Sequence, residues 1–212
     1  MFRFHRFTAA VLCVAAFAST ASAQWRSGRT TMGLYGGMNY TTAEGKDVSG
    51  PGYRDGLVGG AFLVWRMSDM FGLQPEVQFS QEGTKFSQLS GGTSYAGDLK
   101  LDYIQIPLLL RISPPLERET VEWHMLVGPF VAFKSSCGVS MTPRAPGQPT
   151  SCGDLGSLNS IDYGAMAGIG VDFKVGAQFL TFSTRYHMGV PDVVKDNAGK
   201  NRGFTFVVGT RW

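Results

Sequence analysis

Glu76, Arg111, Asp172, Lys174, Arg185 and Arg211, joined by Gln78 and Gln105, stand within stretches that are otherwise rich in Phe, Leu, Ile and Val. Taken out of water, such groups must pair and hydrogen-bond with one another. Gathered in one place they form a salt-bridged core, or alternatively the charged lining of a path for small solutes. His124 and His187, with Glu122 or Asp172, are ligand types that zinc accepts. Neither H-E-x-x-H nor H-x-x-E-H spacing accompanies them, so hydrogen-bonded histidines are expected and no metal or cofactor. Ser183, His187 and Asp192 offer a nucleophile, a base and an acid. Ser183 falls deep within its segment and no G-x-S-x-G elbow surrounds it, so no catalytic site is expected.

What must position these residues is a set of strands. Around the charges, polarity alternates with period two, the spacing at which strand side chains take opposite faces. Phe71, Leu73, Val77 and Phe79 oppose Gln74, Glu76, Gln78 and Ser80. Ile104, Ile106, Leu108 and Leu110 oppose Tyr103, Gln105, Leu109 and Arg111. The pattern continues through Trp123–Lys134, Tyr163–Lys174 and Leu180–His187, and closes with R-G-F-T-F-V-V-G-T-R-W over 202–212. Eight segments emerge: 31–40, 57–66, 71–81, 99–112, 121–135, 161–174, 177–188 and 202–212.

The connections between them alternate long and short. Up-and-down outer-membrane barrels show this asymmetry, with short periplasmic turns, long extracellular loops and an even strand number. The predicted fold is therefore all-β, an eight-stranded antiparallel transmembrane barrel. A soluble barrel would alternate equally well. Two details favour lipid outside. The polar faces are full of Gly, Ser and Thr, as a cramped interior requires, and aromatics gather near segment ends. Tyr40, Trp65, Tyr103, Trp123, Tyr163, Tyr186 and Trp212 are placed to form interfacial girdles. An interior of eight strands is just filled by side chains, which favours a plugged lumen over a channel.

Residues 1–23 read as a secretory leader: Arg3 and Arg6, an apolar core over Ala9–Ala18, and the small-x-small site Ala21-Ser22-Ala23. The rest, 24–212, suits one domain. Lys and Arg number 19 against 16 Asp and Glu, a balance that gives no electrostatic case for nucleic acid. The expected partners are outer-membrane lipid and, during insertion, the barrel-assembly machinery, with no external ligand identified and a monomer as the default. Cys137 and Cys152 flank a loop-like stretch rich in Pro, Gly and Ser. In an exported chain such a pair reads as a disulfide, closing a loop of about 15 residues.

The segments G-L-Y-G-G-M-N-Y (33–40), L-Q-P-E-V-Q-F-S-Q-E-G (73–83), L-D-Y-I-Q-I-P-L-L-L-R (101–111), V-G-P-F-V-A-F (127–133), the Gly-rich stretch with Asp172 and the ending F-V-V-G-T-R-W resemble the PorT-like outer-membrane β-barrel domain family. The resemblance implies an eight-stranded barrel of diderm bacteria, of a kind mostly without an assigned activity, and bulges at Pro75, Pro107 and Pro129, where a ladder bond is lost. The expected role is structural or adhesive, through external loops. In those loops Tyr53 and Arg54 are the contact candidates, since loops on a rigid scaffold often carry binding. A narrow solute channel is the alternative reading, and a lipid-modifying enzyme the second.

Overall fold

The computed structural model describes residues 30–44, 52–90, 93–114, 120–142, 159–194 and 197–212. The leader assigned to 1–23 and Cys152 lie outside the described residues, as does most of the cysteine loop. Eight strands follow one another: β1 (Thr30–Glu44), β2 (Gly52–Arg66), β3 (Phe71–Ser90), β4 (Thr93–Ile112), β5 (Val121–Thr142), β6 (Ile161–Val175), β7 (Gln178–Val194) and β8 (Asn197–Arg211). Each pairs antiparallel with the next, and β1 pairs with β8, so the sheet closes into a barrel. The seam runs from Gly33 opposite Arg211 to Glu44 opposite Lys200. At its lower end Met32 and Trp212 exchange both backbone bonds, at 3.0 and 2.9 Å. Closure removes the free edges that an apolar ribbon would otherwise present to other chains.

The turns at this end are tight. Gly176 takes φ of +64° between Val175 and Gln178, as a two-residue hairpin demands. After β2, the amides of Met67 and Ser68 both donate to the Phe71 carbonyl, and the Phe71 amide donates to Ser68 Oγ. Outward side chains along the lower part of the barrel are apolar and open to the surroundings, among them Val77 (56% exposed), Ile169 (58%) and Phe206 (51%). In water this would be an apolar surface far beyond what a soluble monomer tolerates.

Several strands are longer than the sequence suggested. β3, β4 and β5 have 20, 20 and 22 residues, about twice the 9–11 that a tilted strand needs to cross lipid. Their outward apolar run stops at Phe79, Ile104 and Phe133, and the next outward positions are Gln81, Asp102 and Ser135. Above that line the pattern reverses: Lys85 and Lys100 face out, while Leu99 and Leu101 are buried within. The reversal hid these extensions, because 82–87, 95–98 and 136–142 no longer carry a greasy outer face.

The prolines correct a second expectation. Pro75 pairs in register with Leu108, Pro107 with Phe130 and Pro129 with Ala165, and no register shift occurs at any of them. A missing N–H removes one ladder bond without displacing the strand. The irregularities fall instead between Tyr53 and Val58, between Asp102 and Tyr103, and between Met188 and Val194.

Candidate functional site: the polar lumen

The inward faces of all eight strands converge on a column of polar side chains, and small residues make the room. A side chain at Gly170 would collide with His124, and one at Gly189 with the Asp162 carboxylate. At the lower mouth Arg66 donates to Glu122 Oε2 at 2.7 Å, which also accepts from Arg211 at 3.0 Å. Arg211 reaches Asp172 Oδ2 at 3.0 Å, and Arg111 reaches the same oxygen at 2.5 Å. Thr181 donates to the other oxygen of Asp172 at 2.7 Å. Asp172 is fully buried and thus joins two guanidiniums from β4 and β8.

The column continues upward without a break. Arg111 donates to Gln74 Oε1 at 3.0 Å, and Gln74 to Glu76 Oε1 at 2.7 Å. The second oxygen of Glu76 accepts from Arg185 at 2.6 Å, while the Tyr35 hydroxyl lies 2.7 Å from it and 2.5 Å from Gln78 Oε1. Arg185 also stacks over the Tyr35 ring, 4.8 Å from its centre. Gln78 donates to Gln105, and Gln105 to Glu82 Oε1 at 2.5 Å. Glu82 further accepts from Ser80 at 2.7 Å and from Asn201. Asn39 ties Ser80 to Thr205, at 2.7 and 2.8 Å.

Within this column Arg66, Arg111, Arg185 and Arg211 face Glu76, Glu82, Glu122 and Asp172. The charges balance, as desolvated charges must. Beside it, along the β4–β6 wall, Leu101, Tyr103, Leu109, Leu126, Phe130 and Met166 form an apolar cluster, with Phe86, Cys137 and Val139 packed against it. A second cluster joins Tyr35, Val58, Phe62, Val64 and Val207. Tyr103 and Leu109 fall on the inward parity of their segment, whereas Leu99 and Leu101 lie beyond the lipid line, between charged neighbours that face outward. The interior is a packed core in which ion pairs and apolar groups share the volume.

The sequence matches the outer membrane protein beta-barrel domain family over residues 17–195. The chain belongs to that family. It is a protein of the bacterial outer membrane, and the apolar outer wall faces lipid. No curated protein matches the sequence. Among solved structures it is similar to the outer membrane protein OprG from Pseudomonas aeruginosa, at 10% identity and a TM-score of 0.49, with 87% of this chain and 96% of that one covered. It is similar to Neisserial surface protein A at 14% identity and 0.49, over 85% and 95% of the two chains. The attachment invasion locus protein Ail of Yersinia pestis gives 14% and 0.44, over 87% and 99%.

Most of the predicted lumen residues lie inside this family barrel: Glu76, Gln78, Gln105, Arg111, Asp172, Arg185 and Arg211 are all buried. Lys174 is not among them. It stands on the inward side by parity but one step above the Gly176 turn, where the strand leaves the barrel, and is exposed. Of the aromatics expected in the girdle, Trp65 and Trp123 stand exposed beside the lower turns, and Tyr40 and Tyr163 stand exposed above. Tyr186 packs on Phe204 at 5.0 Å between ring centres, and Trp212 closes the seam. Tyr103 leaves the girdle: it points inward and is buried.

Tyr53 and Arg54 are strand residues of β2 and not loop residues. Tyr53 is exposed on the outer wall. Arg54 is buried and donates to Asp98 Oδ1 at 3.0 Å and to the Glu82 carbonyl at 2.8 Å. It passes a gap at Gly83, whose φ of +137° and contact with the Leu99 carbonyl exclude a side chain. Thr41 brackets the same glycine, accepting from its amide at 2.9 Å and donating to its carbonyl at 3.0 Å.

His124 Nδ1 stands 3.6 Å from Asp172, and His187 Nε2 stands 3.7 Å from Glu82. These are different levels of the barrel, and among the described residues no group of His, Cys and acidic side chains gathers as metal ligands. Ser183 and His187 share one strand face four residues apart, roughly 13 Å at ~3.3 Å per residue. That exceeds hydrogen-bond reach, and Ser183 Oγ accepts from Arg185 at 3.3 Å instead. Cys137, expected in a loop, lies on β5 opposite Leu101.

Proposed function

We propose that this barrel is closed to solute flow and works as a structural or adhesive protein of the outer membrane, through its extracellular face. The supporting observation is the unbroken column from Arg66 and Glu122 to Glu82 and Asn201, whose groups satisfy one another across the lumen. A solute would have to part paired, buried charges to pass, and breaking one such pair costs about 3–5 kcal/mol. The extended ends of β3, β4 and β5 support the second half of the reading. They carry a walled platform beyond the lipid band and present polar side chains there.

In the same reading the chain is a monomer of the PorT-like kind, exported behind a leader ending near Ala23, inserted by the barrel-assembly machinery and stapled by Cys137 and Cys152. It has no catalytic role. Planar-bilayer recording of the refolded protein tests the closed lumen: no steady unitary conductance is expected. A stable conductance from the unaltered protein would favour the narrow channel instead. Unchanged lipid composition on expression is expected, and a new lipid species would favour the enzyme.

A further inference from the structure

Above the lipid line the barrel wall is uneven. β5 pairs with β6 only as far as Phe133 opposite Ile161, and the Lys134 amide still donates to the Ser160 carbonyl at 2.9 Å. β5 itself runs on, paired with β4 from Gly138 opposite Lys100 to Thr142 opposite Ala96. Among the described residues no strand flanks this stretch on its other side. Cys137 is engaged within the protein, so the open edge begins at Gly138. It ends at Thr142, roughly 17 Å away at ~3.3 Å per residue. In an antiparallel pair, alternate residues turn both backbone groups away from the partner. Along this edge those groups point outward, a template for one more strand. Exposed edges are commonly guarded by lysine, other charges or proline. Gly138–Thr142 reads G-V-S-M-T and has none of them.

The two faces specify what fits beside it. Toward the barrel axis, Val139 stands opposite Leu99, packs against the apolar cluster and is half-buried. Met141, opposite Gly97, is half-buried on the same face. On the other face Ser140 and Thr142 are exposed, with Lys100 of β4 beside Gly138. A further strand completes both faces if it alternates apolar residues, toward the axis, with polar ones. Two other occupants fit less well. The residues after Thr142 include Pro143, Pro146 and Pro149, each without the N–H that a ladder needs. A second copy in the same membrane, related by an axis along the membrane normal, would cross at twice the ~35–45° strand tilt, roughly 70–90°. Neighbouring strands of one sheet differ by only about 20–25°.

We propose that Gly138–Thr142 is a docking edge for an extended peptide of a partner protein, which joins the sheet as a strand beside β5. The inference rests on the adhesive reading of the extracellular face and names the contact that face uses.

The test reconstitutes the full chain in nanodiscs and titrates capped, fluorescein-labelled peptides, read by anisotropy. Two of them alternate valine with a polar residue, lysine in one and glutamate in the other. A third, with proline in place of valine, is the control. The parent is expected to bind both alternating peptides at least about tenfold more tightly than the control. On binding, hydrogen exchange at the amides of Gly138–Thr142 should slow. Ser140→Lys with Thr142→Lys should then hold the glutamate peptide about fivefold more tightly than the lysine peptide, because charges facing across a strand pair attract or repel by sign. Both positions are exposed, and a heat-dependent gel shift verifies folding; should the double variant fail it, Ser140→Lys alone and the exchange pattern of the parent decide. Binding no tighter than the control, slowed exchange elsewhere instead, an edge already protected before peptide is added, or a variant without charge preference would each overturn the proposal. Expressing cells that adhere no better than cells without the protein would sink the adhesive role alone, while the peptide result still decides the edge.

Discussion

Asp172→Asn is the sharpest probe of the lumen. The substitution keeps the shape of the side chain and an acceptor for Thr181, and removes one buried negative charge. In the protein Asp172 receives Arg111 at 2.5 Å and Arg211 at 3.0 Å. Glu122 then remains as the lone carboxylate for both, at 3.4 and 3.0 Å, while also holding Arg66 at 2.7 Å. Three guanidiniums on one partly exposed carboxylate leave Arg111 uncompensated in the interior. Breaking a buried pair in this way costs about 3–5 kcal/mol. At a slope of roughly 2 kcal/mol per molar urea, the unfolding midpoint of the refolded barrel should fall by about 2 M, read by tryptophan fluorescence and by loss of the gel shift. Asp172→Asn combined with Arg111→Met removes both partners of the tightest pair and should regain more than ~1 kcal/mol of the loss, a coupling that neighbours of this kind show. A single variant within ~0.3 M of the parent, or a double variant that is merely additive, would refute the idea that these charges hold one another.

Other outcomes follow from the same geometry. Leu108→Arg places a charge on the lipid face near mid-bilayer and should cost roughly 2–4 kcal/mol in the same urea assay. Arg54→Gln removes the tie from β2 to Asp98 and Glu82, a charged hydrogen bond of about 2 kcal/mol; proteolysis of the upper β3–β4 hairpin should accelerate several-fold while the gel shift persists. Thiol labelling of the exported protein should require prior reduction, and Cys137→Ser with Cys152→Ser should lower stability by about 3 kcal/mol in the chain-entropy account.

Strand existence, order and facing were legible wherever lipid imposes its own rule. Between Phe71 and Phe79, or Ile104 and Ile112, each outward residue is apolar because oil demands it, and each inward polar residue must find a partner inside. The lumen set could be read for the same reason. Above the lipid line water replaces oil, the outer face accepts Lys85 and Lys100, and the inner face takes leucine, so the signal inverts and the strands read as loops. Arg54 was misplaced for another reason, because G-Y-R-D-G over 52–56 reads as a Gly-rich polar loop although it continues β2. Lys174 shows a different limit: alternation gives a side chain's direction but not its depth, and a residue beside a turn points inward into open space. The Gly83 kink, which lets Arg54 and Thr41 meet β3, depends on a backbone angle that no side-chain pattern announces.

The bond pair between Met32 and Trp212 places the first and last strands side by side at the end where β2 meets β3 and β6 meets β7. The ring of strands therefore has no privileged origin. A few residues joining Trp212 to Thr30 would amount to one more hairpin bend, and new termini could be cut at Gly176 with every neighbour relation preserved, as circular permutation generally allows. What the order of synthesis determines is which of eight equivalent joints is made last.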